Sequence, residues 1–246
     1  MNDEQHGWLA DVVRPTGPAL VLATHNPKKL IEMRRLLEEL KLEVTVLGLA
    51  DLPNSQVPRE TGKTFEENAL IKARAAAADH GLPALADDSG LEVDALNGMP
   101  GIRSARWAGP EASDEENLEL LLRQIDDVPD ADRGARFVSA MALVVPGQEG
   151  AGQEGAGQDG AGQDGAEQAT EHVVRGVWPG HITLEPTGSE GFGYDPIFAP
   201  DDAKGTAAQL DPADKDVRSH RGQALRLILP LVVETLSAEV SAAKED

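Results

Sequence analysis

A short apolar run, Ala19-Leu20-Val21-Leu22-Ala23, is followed within a few residues by a segment carrying Leu30, Met33, Leu37 and Leu40 at helical spacing. A strand-length run that passes directly into an amphipathic helix restricts the chain to folds that lay helices against a sheet. Thr24-His25-Asn26-Pro27 joins the two. Asn26 suits the N-cap, and Pro27 suits the first helical position, where a missing N–H is of no consequence. The pattern then recurs. Residues 43–47 alternate as a second strand, and Thr64 with Glu67 reads as a capping box for an Ala-rich helix ending near His80-Gly81. A third apolar run, Leu82 to Ala86, leads into Asp87-Asp88. Ser113 with Glu116 opens another helix, with Leu118, Leu121, Leu122 and Ile125 on one side. Residues 136–145, 172–178 and 181–184 read as strands. Asp211-Pro212 starts a short helix, and residues 223–240 form a last amphipathic helix with a kink expected at Pro230. The class predicted is α/β, a sheet flanked by helices.

Composition bounds the function. The 246 residues are 40% hydrophobic and 26% charged, which suits one large domain or two closely packed lobes. Acidic residues number 43 against 22 basic ones, for a formal net charge of −21. That excess opposes attraction to a nucleic acid polymer or to an anionic membrane, so a small anionic substrate needs a local basic pocket. Cysteine is absent, which excludes disulfides, a thiol nucleophile and a zinc-thiolate site, and fits a reducing cytoplasm. Residues 1–6 are polar and acidic, and no apolar run reaches membrane-spanning length, so neither signal peptide nor membrane anchor is expected. Between Gly147 and Gln168 a five-residue unit repeats, Gly-Gln-Glu-Gly-Ala twice and then Gly-Gln-Asp-Gly-Ala twice. Such a composition cannot bury apolar surface and predicts a solvated loop insertion at 147–168 joining two strands. Residues 1–18 are expected to be a flexible extension and 237–246 a flexible tail, leaving a single domain over 19–236.

Several segments carry chemistry-bearing residues. Ala86-Asp87-Asp88-Ser89-Gly90 is expected to place two adjacent carboxylates on a tight turn at a strand end. Carboxylate oxygens suit a hard cation, and one acid can take a proton from water; the same residues also suit an ordinary Asp-Ser-Gly turn. The capped helix start at Asn26 offers backbone N–H groups and a positive dipole end to a phosphate, with Lys29 in its first turn, though a solvated lysine reads equally well. There is no Gly-rich cradle ending in Gly-Lys-Ser/Thr. Lys72 offers a further cation, or is a solvated lysine on an Ala-rich helix. Glu60, before Thr61-Gly62, is a metal carboxylate or a turn residue. Gly191-Phe192-Gly193-Tyr194-Asp195-Pro196 concentrates two rings and an acid in a chain with only 3% aromatic residues, suited either to stacking on a nucleobase or to covering the core. Ser219-His220-Arg221 sets a hydroxyl, an imidazole and a guanidinium just before the last helix, near Lys215. It suits recognition of phosphate or carbonyl oxygen, or a plain helix cap.

Taken in order, Thr24-x-Asn26-x-x-Lys29, Glu60-Thr61-Gly62, Phe65-x-Glu67-Asn68-Ala69, Ala86-Asp87-Asp88-Ser89-Gly90, Gly191 to Pro196 and Ser219-His220-Arg221 resemble the inosine/xanthosine triphosphate pyrophosphatase family. The resemblance spans roughly Leu20 to Leu236, interrupted by the repeat loop. It implies an elongated mixed sheet flanked by helices, two lobes with the active cleft between them, and a homodimer. It further implies Mg²⁺-dependent hydrolysis of ITP, dITP and XTP to the monophosphate and pyrophosphate, removing these purine nucleotides from the pool. By the same resemblance Thr24, His25, Asn26, Pro27, Lys28 and Lys29 bind the triphosphate, with Lys72 as a further phosphate contact. Asp88 is the general base and a metal ligand, Glu60 a second metal ligand, and Asp87 supports the catalytic site. Ser89 touches substrate, Phe192 stacks on the base, and Gly193, Tyr194 and Asp195 complete that wall. Lys215, His220 and Arg221 contact the purine or its phosphates. The repeat insertion, the N-terminal extension and Gln209, where many members carry Glu, depart from the family pattern. Two other functions fit parts of the pattern: a Mg²⁺-dependent phosphomonoesterase releasing orthophosphate, and a nucleotide-binding regulator without turnover.

Overall fold

The computed structural model describes residues 17–24, 27–38, 44–52, 55, 58–147 and 168–242. Strand β1 (Ala19–Leu22) is wholly buried and passes, as its sequence predicts, into helix α1 (Pro27–Glu38). It pairs in parallel with β2 (Thr45–Gly48) on one side and with β3 (Ala84–Val93) on the other. From β3 onward the sheet is antiparallel: β5 (Gly134–Val145) pairs with β3, β6 (Thr170–Ile182) with β5, and β7 (Phe198–Pro200) with β6. The order is β2-β1-β3-β5-β6-β7, with the short β4 (Met99–Pro100) set against the end of β3. This is the α/β sheet flanked by helices that the sequence predicts, and it is mixed, as the family resemblance implies.

Helix α2 (Phe65–His80) is capped by Thr64 Oγ1, which accepts from Glu67 N at 3.1 Å, and closed by Gly81 in the left-handed region. Its small residues Ala69, Ala73, Ala76 and Ala77 lie flat on one sheet face, against Ala84 and Ala86 of β3 and Val138, Ala140 and Ala142 of β5. The opposite face carries two separate cores. Leu85, Met141 and Leu143 pack with Met33 of α1 and with Ala224, Leu225 and Ile228 of α5 (His220–Ala242). Leu91, Val93, Phe137 and Trp178 pack with Leu118, Leu121 and Ile125 of α3 (Asp114–Gln124) and with Tyr194 and Phe198. Between these cores, on the same face, stand Asp87, Ser89 and, opposite Ser89 in the register, Ser139. The first turn of α5 covers this polar interval. Ser219 caps α5, its Oγ accepting from Gly222 N at 3.1 Å, and the short α4 (Pro212–Arg218) precedes it, capped by Asp211.

Three expectations change. Asp87 and Asp88 lie on no turn: β3 continues through them to Val93, each residue matched to a partner on β5. Local Asp-Ser-Gly composition favours a turn, but the antiparallel ladder with β5 runs on through these residues and prevails. The strands expected at 172–178 and 181–184 are one. Pro179 does not break β6, because its ring nitrogen faces the β7 side at the point where β7 has already ended. Helix α5 starts at His220, so His220 and Arg221 belong to its first turn, and it runs through Pro230 to Ala242, into the segment expected to be a tail. Residues 148–167 of the repeat loop, the extension up to residue 16 and residues 243–246 lie outside the described residues.

Gly176 of β6 admits α5 to this position. A Cβ there would stand 2.1 Å from His220 O and 2.6 Å from Ala224 N, both backbone atoms of the helix. Gly176→Ala is expected to destabilise the fold by about 1–3 kcal/mol through overpacking and to displace the first turn of α5; a thermal melt lowered by several degrees checks it.

Candidate active site

The geometry of the site begins where β1 stops. Its pairing with β3 covers only Ala84 and Leu85, and β4 takes up the same edge again at Glu92. Between them Asp88, Ser89 and Gly90 border a cleft of about 310 Å³, which ends where Leu91 N donates to Ser104 Oγ at 2.9 Å. Side chains from both faces of β3 thereby reach one space, at the carboxyl end of β1, where α/β sheets commonly bind ligands.

On the α2 face Asp88 is the hub. Lys72 Nζ donates to Asp88 Oδ1 at 3.0 Å and to Glu60 Oε1 at 3.1 Å. Asn68, one helical turn before Lys72, donates to Asp88 Oδ2 at 3.2 Å and accepts from Gly62 N at 2.9 Å. The second of these bonds ties down the loop that carries Glu60. Arg106 Nη1 reaches Glu60 Oε2 at 3.3 Å from the 3₁₀ helix Gly101–Arg106. Burial works against the charge on Lys72, but the carboxylates of Asp88, Asp87 and Glu60 outweigh it and raise the ammonium above its ordinary pKa. Glu60 is likewise half-buried, which favours its neutral form, yet Lys72 and then Arg106 hold it below the usual carboxylate range.

On the other face stands a ring and its cations. Gly191 adopts φ +78°, and a Cβ on it would meet Asp195 Oδ2 at 2.1 Å, so only glycine fits this turn. Buried Asp195 accepts from Phe192 N at 2.7 Å and from Lys215 Nζ at 2.6 Å, locking the loop to α4. The Phe192 ring faces the cleft with Lys215 Nζ 5.3 Å and the Arg221 guanidinium carbon 5.7 Å from its centroid. Both distances are in cation–π range. His220 stacks on Phe137 at 4.8 Å with 11° between the planes. Tyr194 is buried instead: its hydroxyl donates to Ser104 O at 2.9 Å, and burial, with Asp114 adding to it, pushes its pKa up, so it stays a donor.

Thr24, Glu60, Lys72, Asp88, Ser89, Phe192, Gly193, Tyr194, Asp195, Lys215, His220 and Arg221 all line this cleft. Pro27 opens α1 and is exposed. His25 and Asn26 lie outside the described residues, as do the side chains of Lys28 and Lys29. Asp87 is buried behind Ser89 and Arg221 and does not line the cleft. Gln209 does not line it either; its Oε1 caps the 3₁₀ helix Ala207–Gln209 by accepting from Thr206 N. Sequence reasoning passed over Arg106, Asp114, Asn117 and Phe137, which line the cleft, and the positioning role of Asn68. The Asn68–Lys72 spacing of one helical turn was the available signal for Asn68. Arg106 had none.

Oxygen donors suit Mg²⁺, which takes one or two carboxylates and completes its shell with substrate phosphates. Asp88 and Glu60, converging on one ammonium, meet that description. Among the described residues no group of three or more His, Asp or Glu forms a closed cage, and none of the helices there is long and apolar enough to cross a membrane.

A cleft with convergent carboxylates and lysine on one wall and a cation-flanked ring on the other is the build of an enzyme acting on an anionic, ring-bearing substrate. The chain belongs to the Ham1 family, whose model matches residues 20–231. It is 54% identical over 212 residues to a dITP/XTP pyrophosphatase of Nocardia farcinica, covering 86% of this chain and 93% of that one. Over 219 residues it is 53% identical to a dITP/XTP pyrophosphatase of Cutibacterium acnes, covering 88% and 97%. Among solved structures, a HAM1 protein from Coxiella burnetii superposes with TM-score 0.72 at 40% identity, covering 88% of this chain and 99% of that one. The family resemblance and the α/β fold read from the sequence are thus both borne out.

Glu60, held against the effect of burial below its unfolded pKa of about 4.5 by Lys72 and then Arg106, contributes stability that is fully present above about pH 4.5 and lost as pH falls below it. Lys72→Met removes the Lys72 share, so the variant's deficit relative to the parent should be full above about pH 4.5 and shrink as pH falls below it. Thermal midpoints of both proteins on either side of that pH check the sign.

Proposed function

We infer that this chain hydrolyses ITP, dITP and XTP between the α- and β-phosphates, giving the nucleoside monophosphate and pyrophosphate, with Mg²⁺ held by Asp88 and Glu60. The observation that carries the reading is the single cleft uniting the Asp88, Lys72 and Glu60 cluster with the Phe192 wall. The names of the relatives, dITP/XTP pyrophosphatases at about half identity, support the same substrates. A homodimer in the cytoplasm belongs to the same proposal.

Asp88 is the base that takes a proton from the attacking water. A bound magnesium ion supplies charge neutralisation at the phosphate oxygens. Lys72 carries a charge that neutralises the departing pyrophosphate, and the start of α1, with Thr24 beside it, offers backbone N–H groups to the phosphates. The purine stacks on Phe192, and His220 and Arg221 present donors to its 6-oxo group. Adenine has an amino group there, which would leave buried donors unmatched, so ATP is disfavoured.

Product analysis with ITP, ATP and GTP, with and without Mg²⁺, tests the reading: pyrophosphate from ITP is expected, whereas orthophosphate as the first product would indicate a phosphomonoesterase. Asp88→Asn should abolish turnover while nucleotide still binds, which equilibrium binding in parallel with the assay will show; a variant that turns over removes Asp88 from the base role. Phe192→Ala should raise KM for every purine, in line with about 1–3 kcal/mol of lost stacking, and an unchanged KM would make the ring structural.

A further inference from the structure

Asp87 and Asp88 are neighbours in sequence but not in surroundings. Side chains alternate along β3, so Asp88 joins Lys72 and Asn68 of α2, and Asp87 points to the face covered by α5. There its Oδ2 lies 3.5 Å from Arg221 Nε and accepts from Ser89 Oγ at 3.3 Å. Arg221 Nη2 in turn donates to Ser89 Oγ at 3.1 Å. Arg221 is thus held at its Nε by the carboxylate and at one terminal nitrogen by the hydroxyl. A guanidinium is a rigid planar fork, so holding those two nitrogens sets the plane of the whole group and the direction of its other N–H bonds. The carbon of that group lies 5.7 Å from the centroid of the Phe192 ring, where the proposed purine stacks. Asp87 itself is 1% exposed and forms no part of the cleft lining. A group so enclosed cannot meet the attacking water, but it can determine where a donor points.

We propose that Asp87 is a positioning residue for purine discrimination, acting through Ser89 and Arg221, and that it stands outside the hydrolytic centre. The proposal rests on the nucleotide reading given above. It assigns the two adjacent acids to two tasks: Asp88 serves the phosphates on one face of the strand, and Asp87 serves the base on the other. Discrimination by hydrogen bonding depends on a buried donor meeting its acceptor and failing to meet the wrong group, so a guanidinium free to tilt loses selectivity before it loses turnover. Asp87 also helps to keep Lys72 charged across the strand, so a small change in kcat is part of the expectation.

The test measures kcat and KM for ITP and ATP in the parent, Asp87→Asn, Arg221→Lys and the double variant, with pyrophosphate as the product followed. Failure of the parent to release pyrophosphate from ITP breaks the functional reading and is visible before any variant is compared. In Asp87→Asn the ITP-to-ATP ratio of kcat/KM should fall about tenfold or more, while kcat for ITP stays within about threefold of the parent. In the Arg221→Lys background the same substitution should change the ratio by about twofold or less, because its route of action is already removed. A kcat loss of about 100-fold at unchanged selectivity would put Asp87 in the hydrolytic centre and overturn the proposal. Full additivity of the two substitutions would overturn it as well. Should Asp87→Asn fail to fold, Ser89→Ala removes the hydroxyl link to Arg221 Nη2, and only the ITP-to-ATP ratio of kcat/KM is read from it: a fall in the parent background that is absent in the Arg221→Lys background is expected, and an unchanged ratio refutes the proposal.

Discussion

The ladder between β3 and β5 governs everything that the cleft does. It runs in unbroken register from Ala84 opposite Val144 to Val93 opposite Ala135. Because side chains alternate across the pleat, this register decides which side of the sheet each acid sees, and a slip of one residue would exchange the surroundings of Asp87 and Asp88. The same ladder lets β3 outlast β1. Beyond the end of β1, at Asp88 and Ser89, both faces become accessible to one ligand-sized space before Ser104 closes on the edge at Leu91.

The cleft solves an electrostatic problem that the whole chain poses. A net charge of −21 repels anions, yet the cations Lys72, Arg106, Lys215 and Arg221 gather at one place, with His220 beside them. Several of these cations rest on carboxylates: Lys72 on Asp88 and Glu60, Arg106 on Glu60, Lys215 on Asp195, Arg221 on Asp87. Buried ion pairs give little net stability, since desolvation offsets their attraction. Their concentration here is accounted for by the chemistry of the cleft. Pairing keeps the charges ionised and oriented at small reorganisation cost, as a site for an anionic ligand requires.

Much of this was legible locally. The box of Ser113 with Glu116 forms as read, with Glu116 N bonded to Ser113 Oγ and Ser113 N to Glu116 Oε2. Thr64 caps α2, while Glu67 reaches back to Lys63 N and so completes a variant of the expected box. Caps and helix starts depend on residues within a turn of one another, and such signals survive folding. The Asp-Ser-Gly turn did not survive, because the partners of β3 lie some fifty residues downstream on β5. The division of β6 into two strands failed for a similar reason: Pro179 is tolerated within it because of where β7 ends, which nothing near it in the chain reveals. Arg106 entered the site only through the placement of its 3₁₀ helix against β3.

Residue types and cap positions thus establish an α/β class, because caps and helix starts are matters of chemistry at close spacing, and the order of motifs along the chain carries the resemblance that the Ham1 family match bears out. Packing alone divides Asp87 from Asp88, buries Tyr194 while leaving Phe192 facing the cleft, and draws Arg221 onto the face behind Ser89. These outcomes depend on strand register, on the end of β1 and on the approach of α5 at Gly176, which are set by contacts between segments far apart in the chain.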